Sequence, residues 1–389
     1  MTNTAINIDI APARAALDPR VHARGRGSIS QPDGRYERFA TTPFDDGWAS
    51  FDEPVTPLRT QVMPENVRKA ITYNNSPDIG FDRSINPYQG CEHGCIYCYA
   101  RPRHAFYGLS PGLDFESKIF AKYNIVEKLE DELRKPTYKA APIGLGMNTD
   151  CYQPIERDLK ITRQILEVLN AYNHPVYIVT KSAMILRDID ILADMAKRNL
   201  VSVFVSVTSL NRQLSRRMEP RAATPARRID TIRALSDAGI PTGVMVAPII
   251  PGLTEHELDN ILAQTASAGA RSAAYVVLRL PFEIKDLFGE WLQEHYPDKA
   301  RKVFRMIHSM RGGKANDARF GKRMTGTGAY AAMLGDRFDL ACKRLGLVHH
   351  RIGNSMGGRS GGSAKLDSDS FSPPPAPGDQ FSLFEQSIH

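Results

Sequence analysis

Apolar positions along the middle of this chain switch repeatedly between two periods. Short runs rich in branched apolar residues have the length of buried strands, and each is followed by a stretch with apolar residues at helical spacing. Residues 143–147 read as a strand, and 159–169 as a helix with Leu159, Ile165, Leu166 and Leu169 on one face. The alternation continues with a strand at 176–179, a helix at 185–195 and a strand at 201–207. A helix at 226–238 then ends at Gly239, the residue favoured just past a helix C-terminus. A strand at 244–250, a helix at 255–266 and a strand at 274–280 follow, and a further strand before Gln89-Gly90 opens the series.

Six such repeats imply parallel strands joined by right-handed crossovers, and the apolar strands imply a sheet covered on both faces. A complete eight-unit barrel takes about 250 residues. The expectation is therefore an α/β fold with a partial (β/α)6 barrel over residues 61–295. A doubly wound open sheet has the same periodicity and stays open as an alternative. Residues 1–60 read as an irregular arm, in which Arg24-Gly25-Arg26-Gly27 is either a solvated linker or a segment that packs on the domain or meets an anion. Residues 296–350 read as a helical extension. Residues 351–389 are rich in Gly, Ser and Pro, a composition that buries no core and predicts a disordered tail.

Composition narrows the class. The 389 residues are 42% hydrophobic, enough for a sizeable core, and no run of about 18 apolar residues predicts a membrane span. No basic segment followed by an apolar one opens the chain, so no secretion signal is expected. The formal net charge of +7 permits contact with nucleic acid but does not demand it. The five cysteines are an odd number and three of them cluster, which points to a metal or cluster site in a reducing cytoplasm and not to a disulfide framework.

The three are Cys91, Cys95 and Cys98, spaced CxxxCxxC, with Gly90 and Gly94 allowing tight turns between them. A loop of this length can wrap three thiolates around three corners of an iron–sulfur cube and leave one iron open to another ligand, whereas most clusters take four. His93 as a fourth ligand to a structural zinc, and Cys151 as a fourth ligand to a ferredoxin-type cluster, remain alternatives.

The segment Ser84 to Arg101 resembles the signature of radical S-adenosylmethionine (SAM) enzymes, and in detail the spore photoproduct lyase-like "DNA repair photolyase" group. The stretch from Gly25 to Arg35 and Asp45-Asp46-Gly47-Trp48 belong to the same resemblance. It implies a [4Fe–4S] cluster on Cys91, Cys95 and Cys98, with SAM on the open iron and cleaved reductively to a 5′-deoxyadenosyl radical. It further implies that Tyr97 lies near SAM, that Tyr97 and Tyr99 take part in hydrogen-atom transfer, that Lys181 of Thr180-Lys181 contacts the SAM carboxylate, and that Ser206 and Glu219 also bind SAM. Val246-Ala247-Pro248-Ile249 matches the fifth-strand segment of the group. Such sites gather at the C-terminal ends of barrel strands.

The chain departs from the group at Met147, which stands where the lyase carries a hydrogen-donating cysteine; Cys151, a few residues on, is the candidate to replace it. Arg217 and Arg221 flank Glu219 and suit a phosphate or carboxylate, or ordinary surface ion pairs. Arg311 to Lys314 and Arg319 to Arg323 read as a basic loop facing nucleic acid. Gln380-Phe381-Ser382-Leu383-Phe384 resembles the peptide by which bacterial DNA enzymes dock on the sliding clamp. The expected function is photolyase-like DNA repair or nucleic-acid modification, with a flavodoxin or ferredoxin as reductant. An RNA- or small-molecule-modifying enzyme, or a non-catalytic clamp-tethered metal protein, are the rivals.

Overall fold

A computed structural model of the chain describes residues 25–37, 58–350 and 365–375. The Asp45 to Trp48 segment and the Gln380 to Phe384 peptide lie outside them. Eleven strands occur among the described residues. They are β1 (Gln61–Pro64), β2 (Thr72–Tyr73), β3 (Arg83–Ile85), β4 (Tyr88–Gln89), β5 (Lys118–Ala121), β6 (Ile143–Leu145), β7 (Val176–Thr180), β8 (Val201–Ser206), β9 (Thr242–Ile249), β10 (Ser272–Val277) and β11 (Val348–His349).

The main sheet runs β11-β10-β9-β8-β7-β6-β3-β2. From β3 to β10 all neighbours pair in parallel. The strand order follows the chain without reversal, so the doubly wound alternative, which needs a reversal point, is set aside in favour of the partial barrel. β2 pairs antiparallel at one edge and β11 in parallel at the other. The region read as a helical extension does carry the helices Pro297–Met310 and Ala329–Leu345, but it also returns β11 to the sheet.

Period-two alternation sorts the strand residues between two environments. Ile178, Val203, Val205, Val244 and Ala273 are buried in the main core, where the helices Ile161–Ala171, Ile189–Lys197, Pro225–Asp237 and Leu258–Ser267 contribute their apolar faces. Phe204, Met245 and Ala274 form a separate cluster with Val179, Ala247 and Val276. Val179, Met245, Ala247 and Val276 of this cluster line an open cavity together with residues at the strand C-termini.

In its described part the arm follows the packed one of its two readings and is not a solvated linker: Arg26, Ser28 and Ser30 are buried, and the arm hydrogen bonds to Glu116. Nor is the tail disordered at 365–375. Leu366 is buried, and Phe371 packs on Tyr138, Tyr172 and His174. The Asp367 and Ser372 N–H groups donate to the carbonyls of Asn199 and Tyr172. Composition misses this strap because two apolar residues suffice where a groove already exists. Its contacts precede β6, β7 and β8, so it crosses the barrel end away from the cavity.

Among the described residues no helix is long and apolar enough to cross a membrane.

Candidate active site

The cysteine loop leaves β4, which is held in a second sheet, β1-β5-β4. Cys91 N–H donates to Phe115 O, while Gly94 and Cys98 N–H close turns onto Cys91 O and Cys95 O. Gly90 has φ +83°, and a Cβ there would lie 2.9 Å from Ile119. At Gly94, with φ +67°, a Cβ would lie 2.6 Å from the Glu116 carboxylate. Both turns therefore require glycine.

What fixes the loop is a fully buried arginine. The Arg101 guanidinium donates to Cys95 O (2.9 Å), Gly94 O (3.1 Å), Pro111 O (3.0 Å) and Gly112 O (2.9 Å), and pairs with Glu116. The Glu116 carboxylate also accepts the N–H groups of Gly27 and Ser28, both at 2.8 Å. Arm, loop and guanidinium thus share one carboxylate.

Cys91 and Cys95 are buried, Cys98 is half-buried, and all three are free thiols lining the cavity. Burial pushes each thiol up, Cys95 to about 12. As bare groups they stay protonated; iron would supply the positive charge that thiolates need here. His93, the candidate fourth ligand to zinc, is engaged by Asp150 at 3.3 Å. Three cavity thiols without a fourth suit a cluster with one open iron.

The cavity encloses about 630 Å³, within the range of small-ligand sites, and its wall includes Lys181, Ser206, Tyr97, Tyr99 and Met147. Asp150 organises one side, accepting Thr180 Oγ1 (2.8 Å) and Lys181 N (2.7 Å), with His93 Nδ1 at 3.3 Å. Burial raises its carboxyl, but the His93 charge and these hydrogen bonds outweigh it and hold the group at about 2. Lys181 Nζ lies 5.9 Å from the Tyr97 ring centroid.

Two expected site residues stand elsewhere. Glu219 is not in the cavity wall; its carboxylate accepts Tyr97 OH, Thr208 Oγ1 (2.8 Å) and the Arg228 guanidinium. Burial works against its charge, yet Arg228 first and Lys181 next keep it at about 2. Arg228 also donates to Ser206 O (3.1 Å), so Glu219 and Arg228 hold Tyr97 and Ser206 in place from behind. Cys151 is buried in the main core, away from the cavity, because the chain turns at Gly146 and carries Met147 to Asp150 along the wall before it re-enters the core. It neither faces the cavity nor joins the three thiols.

The arginines also divide. Arg311, expected in an exposed basic loop, is buried and donates to the carbonyls of Val277, Leu278, Lys322 and Arg323. Four carbonyls behind the wall outcompete solvent for its fork. Arg221 pairs with Glu92 at 3.2 Å, and the Arg217 guanidinium lies 5.4 Å from the Tyr296 ring centroid. Unforeseen contributors are Arg101, Glu116, Asp150, Arg228 and Arg279. Glu116 reaches Gly27 and Ser28, and Asp150 reaches Thr180 and Lys181, partners far along the chain for which spacing holds no signal.

Residues 85–264 match the sequence pattern of the radical SAM superfamily. An uncharacterised protein of Mycobacterium tuberculosis is 35% identical over 236 residues, 59% of this chain and 69% of that protein. A radical SAM Nα-GlyT isomerase of Pseudomonas phage M6 is 29% identical over 223 residues, 56% of this chain and 44% of that one. Spore photoproduct lyase complexed with dinucleoside spore photoproduct shares the fold with a TM-score of 0.56 at 16% identity, over 74% of this chain and 81% of that chain. The chain belongs to the radical SAM superfamily. It is a radical SAM enzyme with the fold of spore photoproduct lyase. The superfamily works with a [4Fe–4S] cluster and SAM, and a lyase structure with bound AdoMet has the same fold, with a TM-score of 0.53.

Proposed function

We propose that the chain holds a [4Fe–4S] cluster on Cys91, Cys95 and Cys98, binds SAM against Lys181 and Ser206, and acts on nucleic acid, as a DNA repair or base-modifying enzyme. One observation carries this reading: the three thiols, Lys181, Ser206 and Tyr99 border one cavity. When bound, cluster and SAM supply one-electron cleavage to a 5′-deoxyadenosyl radical.

The chain's own residues set the conditions for that chemistry. Lys181 offers the charge for a carboxylate and Ser206 a hydroxyl for an amino group or ribose. Glu219 fixes Tyr97 through its hydroxyl. Phe81, Met147, Val179, Met245 and Val276 give the cavity apolar walls that exclude water from a reactive intermediate. Tyr99 is half-exposed, with its hydroxyl donated to Met147 O, and is the side chain best placed to exchange a hydrogen atom between cavity and rim.

Met147 lines the cavity and Cys151 does not, so among the described residues the only cavity thiols are the three loop cysteines. That supports a reaction other than spore-photoproduct repair by thiol hydrogen donation. The dinucleoside spore photoproduct bound by the lyase of the same fold supports a nucleic-acid substrate. A cytoplasmic flavodoxin or ferredoxin would deliver the electron, and the sliding clamp would receive Gln380 to Phe384.

Anaerobically reconstituted protein should contain iron and sulfide and, once reduced, convert SAM to 5′-deoxyadenosine. Cys95→Ala should lose both the brown chromophore and the product. Iron-loaded wild-type protein that forms no 5′-deoxyadenosine would overturn the reading.

A further inference from the structure

Beyond the thiols and Lys181, the cavity wall carries Arg103, Lys122, Arg279 and Arg323. Only two carboxylates share that wall, Asp78 and Asp150. Both are committed: Asp78 accepts Gly321 N–H (2.6 Å) and the Arg323 guanidinium, and Asp150 holds His93, Thr180 and Lys181. Arg279 is left over. Its Nη1 reaches only the Met324 sulfur, at 3.6 Å, and its buried Nε has no partner. Its guanidinium carbon lies 5.8 Å from the Tyr99 ring centroid. Burial, then the charge of Arg323, lowers its basicity, but an arginine stays charged.

A partly buried cation with an unmet N–H group calls for an anion from outside the chain. The segment is also rigid. Arg311 anchors the carbonyls of Val277 and Leu278 just before Arg279, and Val277 N–H donates to Met324 O at 2.8 Å. The site is therefore preformed.

We propose that Arg279, aided by Arg103, binds a backbone phosphate of the nucleic-acid substrate and so places a nucleotide beside Tyr99. This rests on the nucleic-acid reading above. A guanidinium fork matches phosphate oxygens bidentately. Several cations along one rim suit a repeating anion better than one carboxylate. Arg103 is exposed, and Arg279, Arg103 and Arg323 all act on the Tyr99 hydroxyl. Tyr99 and Phe320 are large exposed aromatics in the same region, Phe320 lying under Arg323 at 4.6 Å. Cations interleaved with exposed rings are how proteins hold unstacked single strands.

The test is binding of a fluorescein-labelled single-stranded thymidine oligonucleotide to the reconstituted full-length protein, followed by anisotropy across a salt series. Arg279→Gln should raise Kd roughly 10-fold and make the log Kd against log salt slope shallower by about 0.7. Arg279→Lys, which keeps the charge but loses the fork, should restore the salt slope and only part of the affinity. Arg233→Gln, on an exposed helix face outside the cavity, should match wild type. If Arg279→Gln does not fold, the exposed Arg103→Gln reads the same slope. Wild-type binding with Arg279→Gln and Arg103→Gln unchanged would overturn this site and leave the nucleic-acid reading intact. Absence of oligonucleotide binding by wild type would overturn both. Loss of SAM affinity in Arg279→Gln, with oligonucleotide binding intact, would assign the guanidinium to SAM and overturn the proposal.

Discussion

Arg101 shows how much one side chain decides. It satisfies four carbonyls around the cysteine loop and faces Glu116 with no water between them. Lysine keeps the charge but has neither the planar fork nor enough donors for this set. Arg101→Lys should cost about 3–5 kcal/mol, the range for a broken buried pair. The loss should appear as a lower melting temperature and a lower iron content after reconstitution; normal iron loading would refute this role. The residues read from sequence divide along the same line. Cys91, Cys95, Cys98, Tyr97, Tyr99, Lys181 and Ser206 were legible as cavity residues because each belongs to a local motif or a strand end. Glu219 and Cys151 were misplaced because spacing does not say whether a side chain faces a cavity or backs its wall. Arg279 went unseen because a missing partner is visible only in three dimensions.

At the level of elements, the barrel strands were legible wherever both faces are buried, since branched apolar runs mark them directly. The pieces that escaped are those stabilised by a surface they do not themselves encode: β1 and β5 of the second sheet, and the strap. Under the strap lies His174, with Tyr138 OH 2.7 Å from Nε2 and Pro175 O 3.0 Å from Nδ1. Burial first, and Arg83 next, lower its imidazole to about 4. Between that value and the ordinary histidine range near 6.5 the unfolded chain binds more protons than the folded one. Stability attached to the neutral ring is therefore present above this window and lost as pH falls through it, by about 3 kcal/mol if nothing rearranges. Urea unfolding at about pH 7.5 and pH 4.5 should show the loss, and His174→Leu should reduce it. An equal loss in His174→Leu would place the acid sensitivity elsewhere.

For the molecule as a whole, the strap gives direction to the tail. Pro374, whose carbonyl accepts the Arg134 guanidinium, lies on the barrel end opposite the cavity, and Gln380 follows six residues later, within about 22 Å of chain. A ring-shaped partner caught by Gln380 to Phe384 would sit on that far side and leave the cavity mouth free for a strand. Immobilised sliding clamp should retain the full chain and release a variant lacking residues 380–384; equal retention of both would remove this peptide from the proposal.

The carboxylate of Glu116 also makes two distant parts of the molecule answer to each other. It receives the arm through Gly27 and Ser28 and the cysteine loop through Arg101. Whatever tightens one must tighten the other by the same free energy, because linkage is reciprocal. The arm is thus a gauge of the cofactor loop: a protease cut at Arg26 should become slower once iron is in place, long before any substrate is known.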